Sequence, residues 1–216
     1  MMRIGVLASG SGSNLQAILD ACASGAIPAQ VAVVVCNVAG AKALQRAEAA
    51  GVPAILLAHG QYPSRDAYDA ELVALLRRHH VELVCLAGFM RLITPVLLSE
   101  FQNKILNIHP SLLPAFPGMH AVRQALKAGA RVSGCTVHIV DEGTDSGPVV
   151  IQAAVPVLEG DTEETLSARI LVQEHRCYPR AISLWAQGRV ALSGRRVSVQ
   201  AKADPSHNFS SPEMAD

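Results

Sequence analysis

The sequence has no excess of charge of either sign, because its 18 lysines and arginines match its 18 aspartates and glutamates. Proteins that bind nucleic acid or an anionic membrane need clustered positive charge, so neither partner is expected. No apolar run approaches the roughly 20 residues that cross a bilayer. The short apolar run in MMRIGVLASG leads into glycine and serine, which predicts a buried first strand and not a signal peptide. We therefore expect small molecules as partners.

Cysteine is scarce and is not arranged in pairs. The five residues are odd in number, widely spaced and without a CxxC motif. They are Cys22, Cys36, Cys85, Cys135 and Cys177. This pattern is typical of a reduced, cytoplasmic protein, and it predicts no metal site.

Apolar runs of strand length alternate with amphipathic runs of helix length through the first half of the chain. RIGVLAS is followed by LQAILDACAS, and VAVVVCN is followed by AKALQRAEAAG. This alternation predicts an α/β fold, namely a Rossmann-like, mostly parallel sheet with helices on both faces.

The C-terminal half has a different pattern. GCTVHIVD and PVVIQAAVPV are joined by the polar, glycine-rich EGTDSG, and we expect the two runs to pair as antiparallel strands. Residues 1–200 are predicted to form a single domain, since 216 residues with 50% hydrophobic content suffice for one well-buried core. Residues 201–216 are polar and aperiodic, which predicts a disordered tail.

Several residues predict where helices begin and end. Asn14 and Ser64 are expected to be N-caps. Asp161 with Glu164 is typical of a capping box at the start of a long helix. Pro179 is expected to kink or divide that helix, because proline cannot donate the backbone hydrogen bond.

The segment SGSGSNL, Ser9 to Leu15, follows the predicted first strand and opens the first helix. Backbone amides and the helix dipole favour an anion at such a junction, and a phosphate is the natural occupant. A dinucleotide is not expected, because Leu15 replaces the third glycine of its motif and the second strand ends in Cys36 and Asn37 without an acidic residue. The segment therefore predicts a ligand with one phosphate, although such glycines can also serve only a tight turn.

Asn107 and His109 stand two residues apart at the end of the predicted strand KILNIH, so their side chains are expected on one face. An amide can donate to a developing oxyanion, and an imidazole can donate a proton or stabilise the same charge. Asp145, in the loop EGTDSG, is the predicted partner that stabilises the protonated imidazole. Taken alone, His109 is also typical of a strand-end histidine bonded to backbone, and Asp145 of a turn.

No nucleophile is evident. Ser111 lies in HPS and not in GxSxG, and no cysteine has a histidine in a suggestive motif. Direct transfer is therefore favoured over a covalent intermediate. His120 and His138 are candidates either for supporting the site or for a purely structural role.

Five segments resemble the phosphoribosylglycinamide formyltransferase family, the folate-dependent formyltransferases of purine synthesis. In order between about Arg3 and Gly188 they are GSGSNL, AGFMRLI, LNIHPSLLPAFPG, VHIVDEGTDSGPVVIQ and QEHRCYP. LNIHPSLLP alone marks the wider superfamily, whereas GSGSNL with AGFMR indicates the glycinamide ribonucleotide branch.

The resemblance implies that Asn107, His109 and Asp145 are the catalytic group. A substrate amine would attack the formyl carbon of 10-formyltetrahydrofolate, a co-substrate and not a tightly bound cofactor. Asn107 and protonated His109 would hold the oxyanion, and Asp145 would sustain the charge of the histidine. The N-terminal half would bind phosphate and the C-terminal half would complete the catalytic site. The family relationship leaves monomer or homodimer open.

The resemblance also implies substrate contacts. The phosphate would lie on the glycine segment, Glu174 would contact the glycinamide or the ribose, and a pterin pocket would form further along the chain. The residues implied are Gly12, Ser13 and Asn14 for the phosphate, Met90, Arg91, Leu92 and Ile93 for the pterin, and Arg65 near the folate. Ala115 and Val122 depart from the family, which often has lysine at the first position and sometimes histidine at the second, so substrate contacts there are in doubt.

Three alternatives are weaker. A formyltetrahydrofolate hydrolase uses water in place of the amine, but normally carries an extra N-terminal regulatory domain, whereas this chain starts at its first strand. Methionyl-tRNA formyltransferase needs a C-terminal tRNA-binding domain. A non-catalytic nucleotide-binding module would keep the glycine segment without needing the catalytic group.

Overall fold

The computed structural model describes residues 1–200, and the tail predicted to be disordered, residues 201–216, lies outside the described residues. Strands and helices alternate from the start of the chain to α5. The elements are β1 Met2–Ala8, α1 Ser13–Ala23, β2 Ala29–Cys36, α2 Lys42–Ala49, β3 Ala54–Leu56, α3 Arg65–Arg78, β4 Leu83–Leu86, α4 Pro95–Glu100, β5 Ile105–His109, α5 Ala121–Lys127, β6 Val132–Ile139, β7 Val149–Pro156, α6 Glu163–Ala186, β8 Val190–Ser193 and β9 Arg196–Val199.

Seven strands form one sheet in the order β3-β2-β1-β4-β5-β6-β7. The neighbours from β3 to β5 are parallel, whereas β6 runs antiparallel to both β5 and β7. The predicted α/β sheet with antiparallel strands in the C-terminal half is therefore confirmed. The direction of winding reverses between β1 and β4, and ligands of such sheets bind beyond the carboxyl ends of the strands at this reversal.

The sheet is covered by helices on both faces, as predicted. Side chains of successive strand residues point to opposite faces, so Val6 and Val34 belong to one core, with α1, α2, α5 and α6. Leu7 and Val35 belong to a second core, with α3 and α4. Among residues 1–200, no helix is both long and apolar enough to cross a membrane.

The start of α1 differs from the prediction. Gly12, and not Asn14, occupies the N-cap, with a left-handed φ of 68° that glycine adopts without steric cost. Asn14 is buried in the first turn of the helix. At α3 the prediction is confirmed, because the side chain of Ser64 accepts a hydrogen bond from the Ala67 amide at 3.1 Å.

The start of α6 also differs. Thr162 is the N-cap and forms a reciprocal capping box with Thr165, so the pairing predicted for Asp161 and Glu164 is wrong. Asp161 instead forms an ion pair with Arg169 at 2.7 Å. The threonine hydroxyls accept hydrogen bonds from the amides of Thr162 and Thr165, so the capping box lies one residue further along the chain than predicted.

Pro179 does not divide α6, which continues from Glu163 to Ala186. The preceding residue, Tyr178, is fully buried, and its hydroxyl lies 3.0 Å from the Leu86 carbonyl and 2.9 Å from the Leu106 carbonyl. These contacts fix the helix to β4 and β5, and tertiary packing thus outweighs the helix-breaking effect of proline. Beyond α6, β8 and β9 pair as an antiparallel hairpin.

Candidate active site

Asp145 joins the two polar side chains at the end of β5. Its Oδ2 lies 3.3 Å from His109 Nδ1, and its Oδ1 lies 3.4 Å from Asn107 Nδ2. The carboxylate and the imidazole are both largely buried, with 14% and 7% of their side chains exposed. The predicted meeting of these three residues, which are distant in sequence, is thus present in the structure.

The loop between β6 and β7 fixes Asp145 in an unusual conformation. Asp145 has a φ of 50°, and its Oδ2 accepts a hydrogen bond from the Gly118 amide at 2.8 Å. Within the loop, Asp141 Oδ1 accepts from the Ser146 hydroxyl at 2.7 Å and from the Gly143 amide at 3.1 Å. The loop is therefore held by its own hydrogen bonds.

The surroundings of Asp145 favour its ionised form. Burial raises the pKa of this carboxyl, but contact with His138, the hydrogen bond from Gly118 and the positive charge of His109 together outweigh burial. The pKa of Asp145 consequently lies below its ordinary value. A carboxylate that stays charged is suited to stabilise a cationic imidazole.

A second imidazole belongs to the site. His138 on β6 is 2% exposed, and its Nε2 lies 3.1 Å from Asn107 Nδ2 and 3.6 Å from Asp145 Oδ1. His138 stands opposite Asn107 in the pairing of β5 with β6. His120, by contrast, is the exposed N-cap of α5, and none of the described hydrogen bonds joins its side chain to this group.

The other side of the His109 ring faces a backbone carbonyl that the sequence did not reveal. His109 Nε2 lies 2.9 Å from the Phe116 carbonyl oxygen. Phe116 has a φ of 56°, a left-handed conformation that costs a residue with a side chain about 1–2 kcal/mol. Both ring nitrogens thus face oxygen acceptors, and only the doubly protonated ring can donate to both.

The glycine segment after β1 forms a cavity of about 180 Å³ at the reversal between β1 and β4. Gly12 must be glycine in this conformation, because a Cβ there would lie 2.8 Å from the Ala43 Cα. The segment is tied to its neighbours through Ser9, whose hydroxyl donates to Asn37 Oδ1 at 2.6 Å and accepts from the Met90 amide at 2.8 Å. The cavity is lined by residues 9–14 together with Ala87, Gly88 and Met90.

Asn14 connects this cavity to α6. Its Nδ2 donates to Glu174 Oε2 at 2.7 Å, and both side chains are 8% exposed. Burial raises the pKa of Glu174, although the hydrogen bond from Asn14 opposes the shift. The buried Asn14 Oδ1 has no partner among the described residues. Asn14 and Glu174 therefore form one unit beside the glycine segment.

None of the described hydrogen bonds joins a side chain predicted to bind folate to Asn107, His109 or Asp145. Arg91 stacks over the Tyr68 ring at 4.6 Å, and Met90 and Leu92 are 65% and 60% exposed. Arg65 is the exposed first residue of α3, and none of the described hydrogen bonds joins its side chain to this segment. The segment from Met90 to Ile93 is followed by Thr94, whose amide donates to the buried Asp69 at 2.6 Å.

A larger cleft of about 640 Å³ lies between α4, the loop that carries Asp145, and the β8–β9 hairpin. It is lined by Pro95, Leu98, Ser99, Gln102, Asn103, Val140, Asp141, Glu142, Gly143, Ser146 and Arg195. Met90, Leu92 and Ile93 do not line this cleft, so it is not the pterin pocket that was predicted from those residues.

The fold and the site define an α/β protein. A glycine-rich loop lies where the winding of its sheet reverses, and a histidine–carboxylate pair lies at the same edge of the sheet. The sequence profile of the formyl transferase family matches residues 2–182, so the chain belongs to this family. Its relatives of matching length carry a more specific name. Phosphoribosylglycinamide formyltransferase of Escherichia coli K12 is 43% identical over 212 residues, which cover 98% of this chain and 100% of that protein.

Two further comparisons agree. The crystal structure of glycinamide ribonucleotide transformylase 1 from Symbiobacterium toebii has a TM-score of 0.91 and 59% identity, with 92% of this chain and 94% of that chain covered. The trifunctional purine biosynthetic protein adenosine-3 of Drosophila pseudoobscura pseudoobscura is 49% identical over 94% of this chain, but the chain spans only 15% of that relative. The resemblance predicted from the motifs is confirmed.

Proposed function

We propose that the chain transfers the formyl group of 10-formyltetrahydrofolate to the amino group of N1-(5-phospho-D-ribosyl)glycinamide in the de novo synthesis of purines (IMP). The observation that carries this proposal is the bridge formed by Asp145, 3.3 Å from His109 Nδ1 and 3.4 Å from Asn107 Nδ2. A cationic imidazole and an amide beside one carboxylate can stabilise the oxyanion of acyl transfer. The Escherichia coli relative of nearly equal length, a phosphoribosylglycinamide formyltransferase, supports the choice of acceptor, and the formyl donor follows from the resemblance of the motifs.

The reaction requires one bond to form and one to break at the formyl carbon. The substrate amine attacks this carbon, and the tetrahedral intermediate carries its negative charge on the former carbonyl oxygen. His109 and Asn107 donate hydrogen bonds to that oxygen. The oxygen thereby competes with Asp145, whose contacts with both side chains are long. The bond to N10 of the folate then breaks, and the proton lost by the amine reaches N10 through Asp145 and water.

The glycinamide ribonucleotide would span the distance between the loop after β1 and the loop after β5. Its phosphate would accept hydrogen bonds from the backbone of Gly12, Ser13 and Asn14. Glu174 would accept from the ribose or the glycinamide, because its buried carboxylate needs further donors. β1 and β5 are separated by β4 alone, so the two loops lie roughly 10 Å apart at the same edge. An elongated substrate can therefore place its phosphate at one loop and its amine at the other.

The folate would approach the catalytic group from the side opposite to the ribonucleotide. Met90, Arg91, Leu92 and Ile93 would line the pterin pocket, with Arg65 near the folate. The exposed apolar surface of Met90 and Leu92 supports contact with the face of a flat aromatic ring. The cleft beside the Asp145 loop offers room for part of this co-substrate, about 640 Å³.

The remaining features of the proposal come from the sequence. Residues 1–200 would act as a single catalytic domain, in which the N-terminal half binds phosphate and the C-terminal half completes the catalytic site. The protein would act in the cytoplasm, on small molecules, as a monomer or homodimer.

The test is to incubate purified protein with 10-formyltetrahydrofolate, with and without the glycinamide ribonucleotide, and to follow release of deformylated folate. We expect release only when the amine is present. Release without the amine would favour the hydrolase, and binding of both ligands without turnover would favour a non-catalytic module.

A variant adds a direct test of the catalytic group. His109→Ala should lower turnover by at least roughly 100-fold, the usual effect of losing a general acid or base. Circular dichroism and binding of the ribonucleotide provide the control for folding. Near-normal turnover in His109→Ala would defeat the assignment.

A further inference from the structure

Ser111 has a hydroxyl whose contacts are not explained by its sequence motif. It is completely buried, two residues after His109. Its Oγ donates to the Ala115 carbonyl at 2.6 Å and lies 3.3 Å from the Phe116 carbonyl. The hydroxyl is therefore committed to the backbone of the following turn and does not face a substrate as a nucleophile would.

The carbonyl group that contacts His109 belongs to this turn. Phe116 is in the left-handed region, and its carbonyl lies 2.9 Å from His109 Nε2. A bulky residue does not stay in this conformation unless neighbouring contacts impose it. The hydroxyl of Ser111 contacts the carbonyls at and just before Phe116, where it can impose that conformation.

The opposite end of the turn is fixed by β6. The Thr136 hydroxyl donates to the Ser111 carbonyl at 2.6 Å and accepts from the Leu113 amide at 3.0 Å. The Ser111 backbone is thus held by the sheet while its side chain holds the turn. A shift of the Ser111 hydroxyl would move the turn and not the strand.

We propose that Ser111 is a positioning residue for the reaction, because its hydroxyl holds the Phe116 carbonyl against His109 Nε2 and so keeps Nδ1 directed at Asp145. The inference deepens the proposed function and rests on it. Ser111 acts through His109 and contacts no substrate. Losing its hydroxyl should therefore lower kcat and leave KM for the ribonucleotide nearly unchanged.

The matched variants are Ser111→Ala and Ser133→Ala. Ser133 is also buried, at 1% exposure, but its hydroxyl has no partner among the described residues. Each change removes one buried hydroxyl, and only the first removes a contact with the turn. We expect Ser111→Ala to lower kcat about 10-fold or more, as loss of one buried hydrogen bond and of the aligned ring predicts. Ser133→Ala should keep the wild-type kcat.

Nitrogen-15 NMR of histidine side chains gives a readout that a purely structural role would not move. In the wild-type protein, we expect a hydrogen-bonded, slowly exchanging proton on His109 Nε2. It should persist in Ser133→Ala and be lost in Ser111→Ala. A wild-type Nε2 without such a proton would overturn the proposal, and this arm remains decisive if Ser111→Ala fails to fold. Wild-type kcat together with a retained proton in Ser111→Ala would also overturn it.

The two proposals can fail separately. If the wild-type protein transfers no formyl group, the proposed function fails, while the NMR comparison still decides whether Ser111 positions His109.

Discussion

Two buried carboxylates in the candidate site have pKa values shifted in opposite directions. Asp145 is surrounded by two imidazoles and a backbone amide, which hold its pKa below the ordinary value despite burial. Glu174 is buried with one side-chain amide from Asn14 as its hydrogen-bond donor, and burial raises its pKa. Asp145 is therefore equipped to remain charged beside the imidazoles, whereas Glu174 gains most when a ligand supplies further donors. Under the proposed function, Asp145 belongs to the region for chemistry and Glu174 to the region for binding.

The largest effect is expected from Asp145→Asn, which keeps the shape of the side chain and removes its charge. Turnover should fall by about 100- to 10,000-fold, the range for loss of acid–base function, while KM for the ribonucleotide changes little. Steady-state kinetics with both substrates checks this split. A rise in KM with unchanged kcat would show that Asp145 acts in substrate binding, and would contradict the proposed difference between Asp145 and Glu174.

Glu174→Gln is the matched change in the binding region. Loss of a hydrogen bond to a charged group is worth about 1.5–3 kcal/mol, so KM for the ribonucleotide should rise roughly 10- to 100-fold while kcat stays within about threefold. A fall in kcat as large as that of Asp145→Asn would show that the two carboxylates do not have separate roles.

The same two variants should shift stability in opposite directions. The lowered pKa of Asp145 means that its charge stabilises the fold above the unfolded-state pKa, and this gain disappears as pH falls through the folded-state value. The raised pKa of Glu174 means that its ionisation destabilises the fold at neutral pH, and stability is recovered as pH falls through the raised value. At neutral pH, Asp145→Asn should lower Tm and Glu174→Gln should raise it. Thermal unfolding from pH 4 to 8 measures both, and shifts of equal sign would contradict the account.

Backbone geometry should dominate at the glycine segment. Gly12→Ala places a side chain at positive φ and against Ala43, and should reduce the free energy of unfolding by about 1–2 kcal/mol. Gly10→Ala is the control for stability, because no atom lies within 4 Å of its Cβ and its φ is not positive. It should change stability by less than about 0.5 kcal/mol. Equal losses in the two variants would mean that the φ of Gly12 is unimportant.

The smallest effect is expected at the edge of the Asp145 loop. Arg195, whose side chain is 72% exposed, lies 3.4 Å from Asp141 and also donates to the Ser146 carbonyl. Exposed ion pairs contribute little, so Arg195→Ala should change kcat by less than about fivefold. Arg196→Ala, at the next residue of the hairpin, should have no measurable effect. A loss as large as that of Asp145→Asn would show that the loop depends on this outer contact.

Much of the fold could be predicted from local patterns. Alternating apolar and amphipathic runs predicted the sheet, and the polar loop between two apolar runs predicted the antiparallel pair. Pro179 misled the prediction because the contacts of Tyr178 with β4 and β5 arise only in the tertiary structure. The N-cap at Gly12 was missed because its left-handed conformation depends on how α2 packs against the glycine segment.

The candidate site was partly predictable for a related reason. His109 ends a strand and Asp145 lies in a polar loop between two strands, both of which are visible in the sequence, and the family motifs drew attention to Glu174. The pairing of Asn14 with Glu174 joins residues 160 positions apart, and the Phe116 carbonyl is a backbone group that no residue type announces. The position of His138 could have been found from the register of β5 with β6, which places it opposite Asn107.

A crystal structure with the glycinamide ribonucleotide and a stable folate analogue tests the central claim most directly. The account predicts the phosphate on the backbone amides of Gly12 to Asn14, and the group that replaces the formyl within hydrogen-bond distance of His109 and Asn107. An analogue bound with that group remote from His109, while the phosphate occupies the glycine segment, would contradict it.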